Sequence, residues 1–381
     1  MAIFDHIWSL VQYLVPFVFV LSIVIFFHEL GHFLVGRWCG VKVDAFSLGF
    51  GPEIFGFVDR YGTRWRLALL PLGGYVKFHG DANGASMTDQ SAVDAMPANE
   101  RAVTFFAQKV WKRAAIVAAG PLANFVLAIV IFTGIFYTYG RHILIPRVDG
   151  VSIGSAAEAA GFQKGDLILS IDGKRVDSFA DMQRLVQASS DTPLAFEVER
   201  KGKLVNLVAT PKRRDVNTPF GVTRVGVLGV ESAGSPENWH TESYGFVDSA
   251  RLAVAETWFV IERTGAYLGG LFVGKESADQ LSGPIRIAEI SGEMAKIGFS
   301  ALLNLAAILS ISIGLLNLVP IPLLDGGHLL YYAVEAVRGK AMNERMQEVG
   351  FRIGLTLVAG LMIFATYNDI VRLTRQFMRW G

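Results

Sequence analysis

The sequence predicts a polytopic α-helical membrane protein of about four transmembrane helices, with a β-hairpin that re-enters the membrane and an inserted α+β domain. Hydrophobic residues make up 52% of the 381 residues and charged residues 18%, whereas soluble proteins contain about 25% charged residues. Four long runs of the chain contain no charged residue. Between the second and third runs, short β-branched segments alternate with Gly-Asp and Asp-Gly turns, which indicates a small sheet.

The four uncharged runs are the predicted membrane spans. A hydrocarbon core of about 30 Å requires about 20 helical residues. The runs are Ile7–Phe27, Ala114–Gly140, Ile297–Leu324 and Ile353–Asn368. The fourth run is the shortest, and it spans the membrane if Arg352 or Asp369 lies at the interface. The first run is not expected to be a cleavable signal peptide, because it lacks a basic n-region and a small-residue cleavage site.

The distribution of basic residues predicts the orientation in the membrane. The first twelve residues contain no Lys or Arg, whereas residues 37–113 contain ten and residues 338–352 contain four. We therefore place these two segments in the cytoplasm, and the N-terminus and residues 141–296 outside. The net charge of +1 argues against nucleic acid as a partner. The single cysteine, Cys39, excludes an intramolecular disulfide.

A zinc site is predicted at the end of the first run, where the chain reads His28-Glu29-Leu30-Gly31-His32. Two histidines four residues apart on a helix project from the same face, about one turn from each other. Two such imidazoles can hold one zinc ion, and a Glu beside them can act as general base on water. A chance occurrence is the alternative, but the position at the end of a hydrophobic span favours a metal site.

A membrane-dipping hairpin is predicted for Arg64–Phe78, which reads as two short extended runs broken at Pro71 and at Gly73-Gly74. Residues 67–72 are apolar on both faces, which an exposed hairpin would avoid. We expect the hairpin to enter the membrane and to leave one edge open to an extended substrate.

The second run contains a proline and an asparagine, in the sequence Gly120-Pro121-Leu122-Ala123-Asn124. These residues are costly in a membrane unless they meet other protein groups. Helix packing through Gly120 and Ala123 is one interpretation, and an active-site position for Asn124 is the other.

Asp325 is the predicted third ligand. It ends the third uncharged run, after Pro320 and Pro322, which unwind the helix. The orientation given above places it at the cytoplasmic end of the span, at a depth similar to that of His32. Two histidines and one carboxylate leave a coordination position for water, which is the arrangement of catalytic zinc sites. Two alternatives stay open: Asp325 caps the following helix, or His328 is the third ligand.

Residues 141–213 predict a small domain that resembles a PDZ domain. Ser178–Ala188 has a helical pattern, and strands are expected at Leu194–Glu199 and Val205–Ala209. Because PDZ domains bind a peptide as an added strand, a peptide or the outer segment of a substrate is the expected partner. An inert spacer is the alternative.

The expected domain organisation has four parts. Residues 1–140 form a first membrane half, 141–213 the PDZ-like domain, 214–296 a linker with amphipathic helices on the outer surface, and 297–381 a second membrane half. In the third part, residues 244–275 combine a helical period with charges such as Asp248 and Arg251, which suits a helix lying on the membrane surface.

The order of these motifs resembles the site-2 protease family of intramembrane zinc metalloproteases, and specifically its bacterial RseP type. The motifs are HELGH at 28–32, PLGGYVK at 71–77, GPLAN at 120–124 and NLVPIPLLDG at 317–326, with the PDZ-like insert before the last. The resemblance implies one zinc ion held by His28, His32 and Asp325, with Glu29 as catalytic base. It also implies a set of substrate-binding residues, for which we take Asn317, Pro320, Pro322, Leu70, Gly73, Gly74, Tyr75 and Asn124. The best-known members carry two tandem PDZ domains, whereas residues 141–213 have room for one.

The resemblance implies hydrolysis of peptide bonds in or near the transmembrane segment of single-span membrane proteins, after another protease has trimmed the outer domain. Anti-sigma factors and remnant signal peptides are the usual substrates of such enzymes. The expected location is the bacterial inner membrane, with the N-terminus and the PDZ-like domain in the periplasm and the active site near the cytoplasmic face.

Two other functions are compatible with parts of the sequence. One is a non-enzymatic membrane adaptor that binds peptides through its PDZ-like domain, and Glu29 argues against it because a structural metal site needs no base. The other is metal transport, which the uncharged interiors of the second to fourth spans disfavour.

Overall fold

The structure, a computed structural model, describes residues 2–81, 96–218, 221–232, 238–273, 283–340 and 342–380. Its helices are α1 (Ala2–Trp38), α2 (Ala98–Arg101), α3 (Val110–Tyr139), α4 (Ala156–Ala160), α5 (Phe179–Ala188), α6 (Phe246–Phe272), α7 (Pro284–Ile297), α8 (Phe299–Asn317), α9 (Asp325–Arg338) and α10 (Glu344–Trp380). Its strands are β1 (Val43–Val58), β2 (Arg64–Phe78), β3 (Arg141–Leu144), β4 (Gly150–Val151), β5 (Leu167–Ile171), β6 (Lys174–Arg175), β7 (Leu194–Arg200), β8 (Lys203–Ala209), β9 (Lys212–Thr218), β10 (Gly221–Val227), β11 (Val230–Glu231) and β12 (Trp239–Glu242).

The described residues divide into two compact units. The first unit contains those within Met1–Ile135, Asp248–Ser277 and Ser282–Gly381, and the second contains those within Phe136–Val247.

Four helices of the described chain are long and apolar enough to cross a membrane, which confirms the prediction of a polytopic membrane protein. These candidate spans are Val11–Trp38, Val110–Tyr139, Phe299–Asn317 and Arg345–Thr374. They coincide with the four uncharged runs, although three of them extend beyond the runs into charged residues. Helix α6 is not among them, because charged residues recur along its length.

Small residues bring the membrane helices of the first unit into close contact. A Cβ atom at Gly31 of α1 would overlap the carbonyl oxygen of Ala119 on α3, so these two helices cross with their backbones touching. Helix α8 also contacts α3, where the Ser310 hydroxyl donates to the Asn124 carbonyl at 2.9 Å. Gly314, one turn further along α8, also lies against Asn124. Such small-residue contacts drive helix association in lipid, where burial of apolar surface gives little gain.

Strands β1 and β2 form a bent sheet in which part of each strand pairs with two segments of the other. The first part of β1, residues 43–48, pairs on one side with residues 74–78 of β2 and on the other with residues 64–67. The second part of β1, residues 53–58, pairs with residues 64–68. Beyond the pairing of residues 74–78 with β1, no further strand pairs with them among the described residues. The edge formed by residues 74–78 is therefore free of a strand partner in the described chain.

The turn region of this sheet exposes large apolar side chains. Phe50, Ile54 and Phe55 of β1 and Leu69 and Leu70 of β2 are between 46% and 63% exposed. A water-exposed tip with this composition would cost free energy, at about 25 cal/mol for each Å² of apolar surface left in water.

The chain is irregular between α8 and α9, as the two prolines there predict. Leu323 has a φ of 115°, a conformation that residues other than glycine rarely adopt. The neighbouring carbonyl oxygen of Pro322 lies against the backbone of Gly354 on α10, so closely that a Cβ atom at this position would overlap it. A glycine at 354 is therefore required for α10 to pack against the break.

Helix α7 is tied to the far end of α10. The buried carboxylate of Asp369 accepts hydrogen bonds from the backbone amides of Gly283 and Arg286, at 3.2 and 3.0 Å, and so caps the N-terminus of α7. Arg372 of α10 pairs with Glu289 of α7 at 2.6 Å. The ends of these two helices are thus held by both a cap and an ion pair.

The second unit is built on a four-stranded sheet in the order β6-β5-β7-β8, and all three pairings in it are antiparallel. Helix α5 begins after Ser178, whose hydroxyl accepts the backbone N–H of Asp181. The core is formed by buried side chains of the sheet and helices, among them Ile168, Met182, Phe196 and Val198.

The second unit extends beyond the predicted boundary at residue 213. Strand β11 returns to pair with β4, and β12 pairs with β3. Leu228, just before β11, is part of the unit's hydrophobic core. Much of the segment from 214 to 243, predicted as a linker with some strand character, thus belongs to this unit.

A buried ion pair holds one corner of the second unit. Arg200 donates to both carboxylate oxygens of Asp166 at 2.7 Å, and the Asp166 side chain is fully buried. Burial raises the pKa of Asp166, but the hydrogen bonds from Arg200 and from the Gln163 amide lower it by more, so the net pKa lies below its ordinary value.

Candidate active site

Helix α1 presents His28 and His32 from one face near its C-terminal end. Their rings are 4.8 Å apart between centroids and meet edge to face. The two Nε2 atoms lie 3.2 Å apart. The spacing of four residues therefore produces the convergence that the sequence predicts.

Asp325 reaches the same point from a distant part of the chain. It is the first residue of α9, directly after the break, and its Oδ2 lies 3.2 Å from Nε2 of His28 and 3.6 Å from Nε2 of His32. The three side chains are only 11–17% exposed.

The other ring nitrogen of each histidine faces a group on α3. Nδ1 of His32 lies 2.9 Å from the carbonyl oxygen of Ile116, to which it can only donate. His32 therefore carries its proton on Nδ1 when neutral, which leaves a lone pair on Nε2. Such outer hydrogen bonds are typical of metal-binding histidines, because they fix the tautomer and the ring orientation.

Asn124 has the corresponding place beside His28. Its amide nitrogen lies 3.2 Å from Nδ1 of His28, and its amide oxygen is buried without a hydrogen-bond partner in the described chain. A half-turn of the amide exchanges the two atoms and lets the oxygen accept a hydrogen bond from the N–H at Nδ1. His28 then also presents a lone pair on Nε2. Asn124 is fully buried, and the structure places its side-chain amide beside this histidine.

The cluster fits a zinc ion. With protons on both Nδ1 atoms, the two Nε2 atoms and Oδ2 of Asp325 are three acceptors, and all ligand atoms of the cluster lie within 4.8 Å of one another. Oδ2 is buried and accepts no hydrogen bond of good geometry within the described chain. Three converging acceptors without a donor repel one another unless a cation lies between them, and two nitrogens with one carboxylate oxygen suit zinc.

His328, the alternative third ligand, does not belong to this cluster. No other group of at least three metal-binding side chains converges within the described residues. The His328 ring instead packs edge to face on Tyr331, with 6.2 Å between ring centroids. Asp325, for its part, lies in the first turn of α9, where it is also favourable to the helix dipole.

Glu29 lies between the histidines and the edge of the sheet. The backbone N–H of Val76 donates a hydrogen bond to its carboxylate. Gly74, two residues earlier, is so close that a Cβ atom there would lie 3.0 Å from Cγ of Glu29. The free edge of residues 74–78 therefore runs past Glu29.

The other predicted substrate-binding residues surround this edge and the break. Gly73 packs under the Phe50 ring, and the Tyr75 hydroxyl accepts a hydrogen bond from Arg66 at 2.9 Å. Leu70 is exposed at the turn of the sheet. Asn317 ends α8, and Pro320 and Pro322 form the break before Asp325. Their role in substrate binding stays a prediction.

Gly120, for which the sequence predicts only helix packing, also borders the metal site. A Cβ atom at this position would overlap Nε2 of His32. The position therefore provides space for the imidazole as well as for the neighbouring helix. A glycine one turn before Asn124, on a helix that faces HExxH, is the signal that could have indicated it.

We expect Gly120→Ala to weaken zinc binding, because the added methyl group displaces the His32 ring. Loss of ring orientation at a metal site costs about 10–100-fold in affinity. The zinc affinity is measured by competition between the protein and a chelator. The matched control is Gly134→Ala on the same helix, where a Cβ atom meets no other atom within 4 Å. Equal zinc affinity in the Gly120 variant and wild type would contradict this account of Gly120.

Four candidate membrane spans, together with a site of two histidines, a carboxylate and an adjacent glutamate, are the features of a membrane metalloprotease. Comparison with known proteins agrees. The model of peptidase family M50 matches residues 16–361, so the chain belongs to this family, the site-2 protease family, and is a zinc metalloprotease.

Similar proteins bear names of the same kind. "Putative zinc metalloprotease Atu1380" of Agrobacterium fabrum is 49% identical over 362 residues, which cover 95% of this chain and 96% of that protein. "Putative zinc metalloprotease R01501" of Rhizobium meliloti is 48% identical over 361 residues, covering 94% and 96%. "Metalloprotease MmpA" of Caulobacter vibrioides is 41% identical over 382 residues, covering 94% and 95%. These matches favour the protease over the adaptor and the metal transporter.

Proposed function

We propose that the chain hydrolyses peptide bonds in or near the transmembrane segment of single-span membrane proteins, with one zinc ion held by His28, His32 and Asp325 and with Glu29 as base. The observation that carries the proposal is the convergence of the three ligand atoms within a membrane-spanning unit. Histidines 28 and 32 lie on a candidate span and Asp325 follows another, which supports a substrate that reaches them from the membrane.

The chemistry divides between the metal and Glu29. Zinc, held by His28, His32 and Asp325, would supply Lewis-acid chemistry: it would polarise the scissile carbonyl and lower the pKa of water at the site to about 7. Glu29 accepts the proton of the attacking water and passes it to the leaving amine. The Val76 amide holds the Glu29 carboxylate in place through its hydrogen bond, and Ile116 and Asn124 hold the imidazoles.

We propose that the sheet of β1 and β2 re-enters the membrane and guides the substrate. Its exposed apolar turn region suits lipid better than water. An unwound substrate segment can add itself to the free edge of residues 74–78, which passes Glu29, as in other cases of strand addition. Asn317, Pro320 and Pro322 form the facing wall, where freed backbone groups can bind an extended segment.

The topology and location follow from the basic segments at 37–113 and 338–352, which we place in the cytoplasm. The active site then lies near the cytoplasmic face of a bacterial inner membrane, and the second unit lies in the periplasm. Anti-sigma-factor-like proteins and remnant signal peptides, already trimmed outside, are the proposed substrates.

The second unit is proposed to be a single PDZ-like domain that binds a peptide or the outer segment of a substrate. Its four-stranded sheet and the helix α5 support this assignment. The later strands β11 and β12 also belong to the unit, since they pair with β4 and β3.

The proposed function is tested by cleavage of a single-span reporter with a short outer segment, reconstituted with the purified chain in lipid vesicles. We expect cleavage that a zinc chelator abolishes and that added Zn²⁺ restores. A second reporter, in which two glycines of the span are replaced by leucine, should be cleaved roughly thirtyfold more slowly, because each replacement stabilises the helix by about 1 kcal/mol. Cleavage that resists the chelator, or that occurs only outside the span, would refute the proposal.

A further inference from the structure

Helix α9 carries a second buried acidic residue besides Asp325. Glu335 lies about three turns further along the helix. Its carboxylate lies 2.6 Å from a guanidinium nitrogen of Arg113, and the two side chains are 15% and 11% exposed. The guanidinium also lies over the Tyr332 ring of α9, 5.0 Å from its centroid. Arg113 therefore binds α9 through an ion pair with Glu335 and a cation–π contact with Tyr332.

Arg113 is itself fixed on α3. Its Nε donates to the carbonyl of Gln108 at 3.1 Å. The next turns of the same helix provide the Ile116 carbonyl that faces His32 and the Asn124 amide that faces His28. Helix α3 thus orients two of the candidate ligands, and α9 begins with the third.

We propose that the Arg113–Glu335 ion pair positions the metal site by holding α9 against α3. This inference rests on the proposed zinc site. Ligand atoms must lie within about 0.2 Å of ideal metal distances, so the position of α9, which begins with Asp325, must be closely fixed relative to the two histidines. A buried ion pair within two rigid helices fixes the position of α9 relative to the orienting groups. Arg113 and Glu335 act as positioning residues, since neither reaches the site.

The test uses the full-length chain purified in detergent, with Arg113→Gln, Glu335→Gln, the conservative Arg113→Lys, and the double variant Arg113→Gln/Glu335→Gln. Zinc affinity is measured by competition with a chelator, well below the unfolding temperature of each variant. The visible spectrum of the Co²⁺-substituted protein reports the coordination geometry. Reporter cleavage gives kcat and KM separately.

We expect each Gln variant to bind zinc about 10–100-fold more weakly, the range found when groups that orient metal ligands are lost. The Co²⁺ spectrum should change, kcat should fall and KM should stay the same. Arg113→Lys should recover part of the affinity. The matched control is Arg372→Gln, which breaks an ion pair of the same 2.6 Å length between α10 and α7. It should lower thermal stability and leave zinc affinity and the Co²⁺ spectrum unchanged.

Two results would overturn the inference: wild-type zinc affinity and Co²⁺ spectrum in the folded Gln variants, or an equal loss of zinc affinity in the Arg372 control. If neither single variant folds, the double variant, which leaves no unpaired charge, carries the same expectation. Failure of the proposed zinc site is recognised separately, since wild type would then bind no zinc, or His28→Ala would bind as much as wild type.

Discussion

Glu29→Gln is expected to reduce reporter cleavage by about 10²–10⁴-fold, the usual contribution of general acid–base catalysis, while the protein keeps its zinc. Glutamine has the shape of glutamate and can still meet the Val76 amide with its oxygen, but it cannot accept a proton from water. The measurement is the rate of reporter cleavage in vesicles at matched protein and zinc content.

The control for this variant is Glu348→Gln, which removes an exposed carboxylate paired with Arg352 on α10. It should cleave at the wild-type rate. Equal cleavage by wild type and the Glu29 variant would remove Glu29 as the base and point to a contaminating protease.

Asp325→Asn is expected to abolish both zinc binding and cleavage. A neutral amide is a poor zinc ligand, and the loss should exceed the factor of about 10–100 that loss of an orienting hydrogen bond costs. The two histidines would then face each other across 3.2 Å with no charge to hold the cation. Zinc content after gel filtration and chelator competition measure the loss.

The same variant separates the two interpretations of Asp325. If this residue served only the start of α9, Asp325→Asn would lower thermal stability by about 1 kcal/mol or less and keep its zinc, since Asn is also a good residue at helix N-termini. Asp369→Asn is the matched control, because Asp369 is a buried carboxylate at the start of α7. It should affect stability without affecting zinc.

The sequence predicted the elements whose signals are local. Uncharged runs located the four spans, and the HExxH spacing brought His28 and His32 together. Asp325 could be placed beside them from depth alone, because the distribution of basic residues predicts that both chain segments end at the same side of the membrane. Proline and charge patterns thus located the spans and the break before Asp325. The hairpin predicted within Arg64–Phe78 was wrong in its pairing, because residues 64–67 and 74–78 both pair with β1 and not with each other.

The sequence could not show contacts made by backbone groups. The Ile116 carbonyl and the Val76 amide face the site, but any residue offers the same backbone atoms, so neither position bears a signal. The sequence also did not indicate which strands pair when they lie far apart in the chain. Examples are the pairing of β11 with β4 and of β12 with β3. The polar composition of residues 214–243 suggested a linker because edge strands need few apolar side chains.

The contact between Gly354 and the Pro322 carbonyl ties the active site to the thickness of the lipid bilayer. If α10 slid by one residue, Ile353 or Leu355 would meet that carbonyl with a side chain in place of a hydrogen atom. The position of α10 along the membrane normal is therefore fixed at Gly354. The helix can adapt to a thicker or thinner hydrocarbon layer by tilting about Gly354 but not by sliding. Lipids that change the hydrophobic thickness would consequently act on the far end of α10, where Asp369 caps α7, before they disturb the ligands.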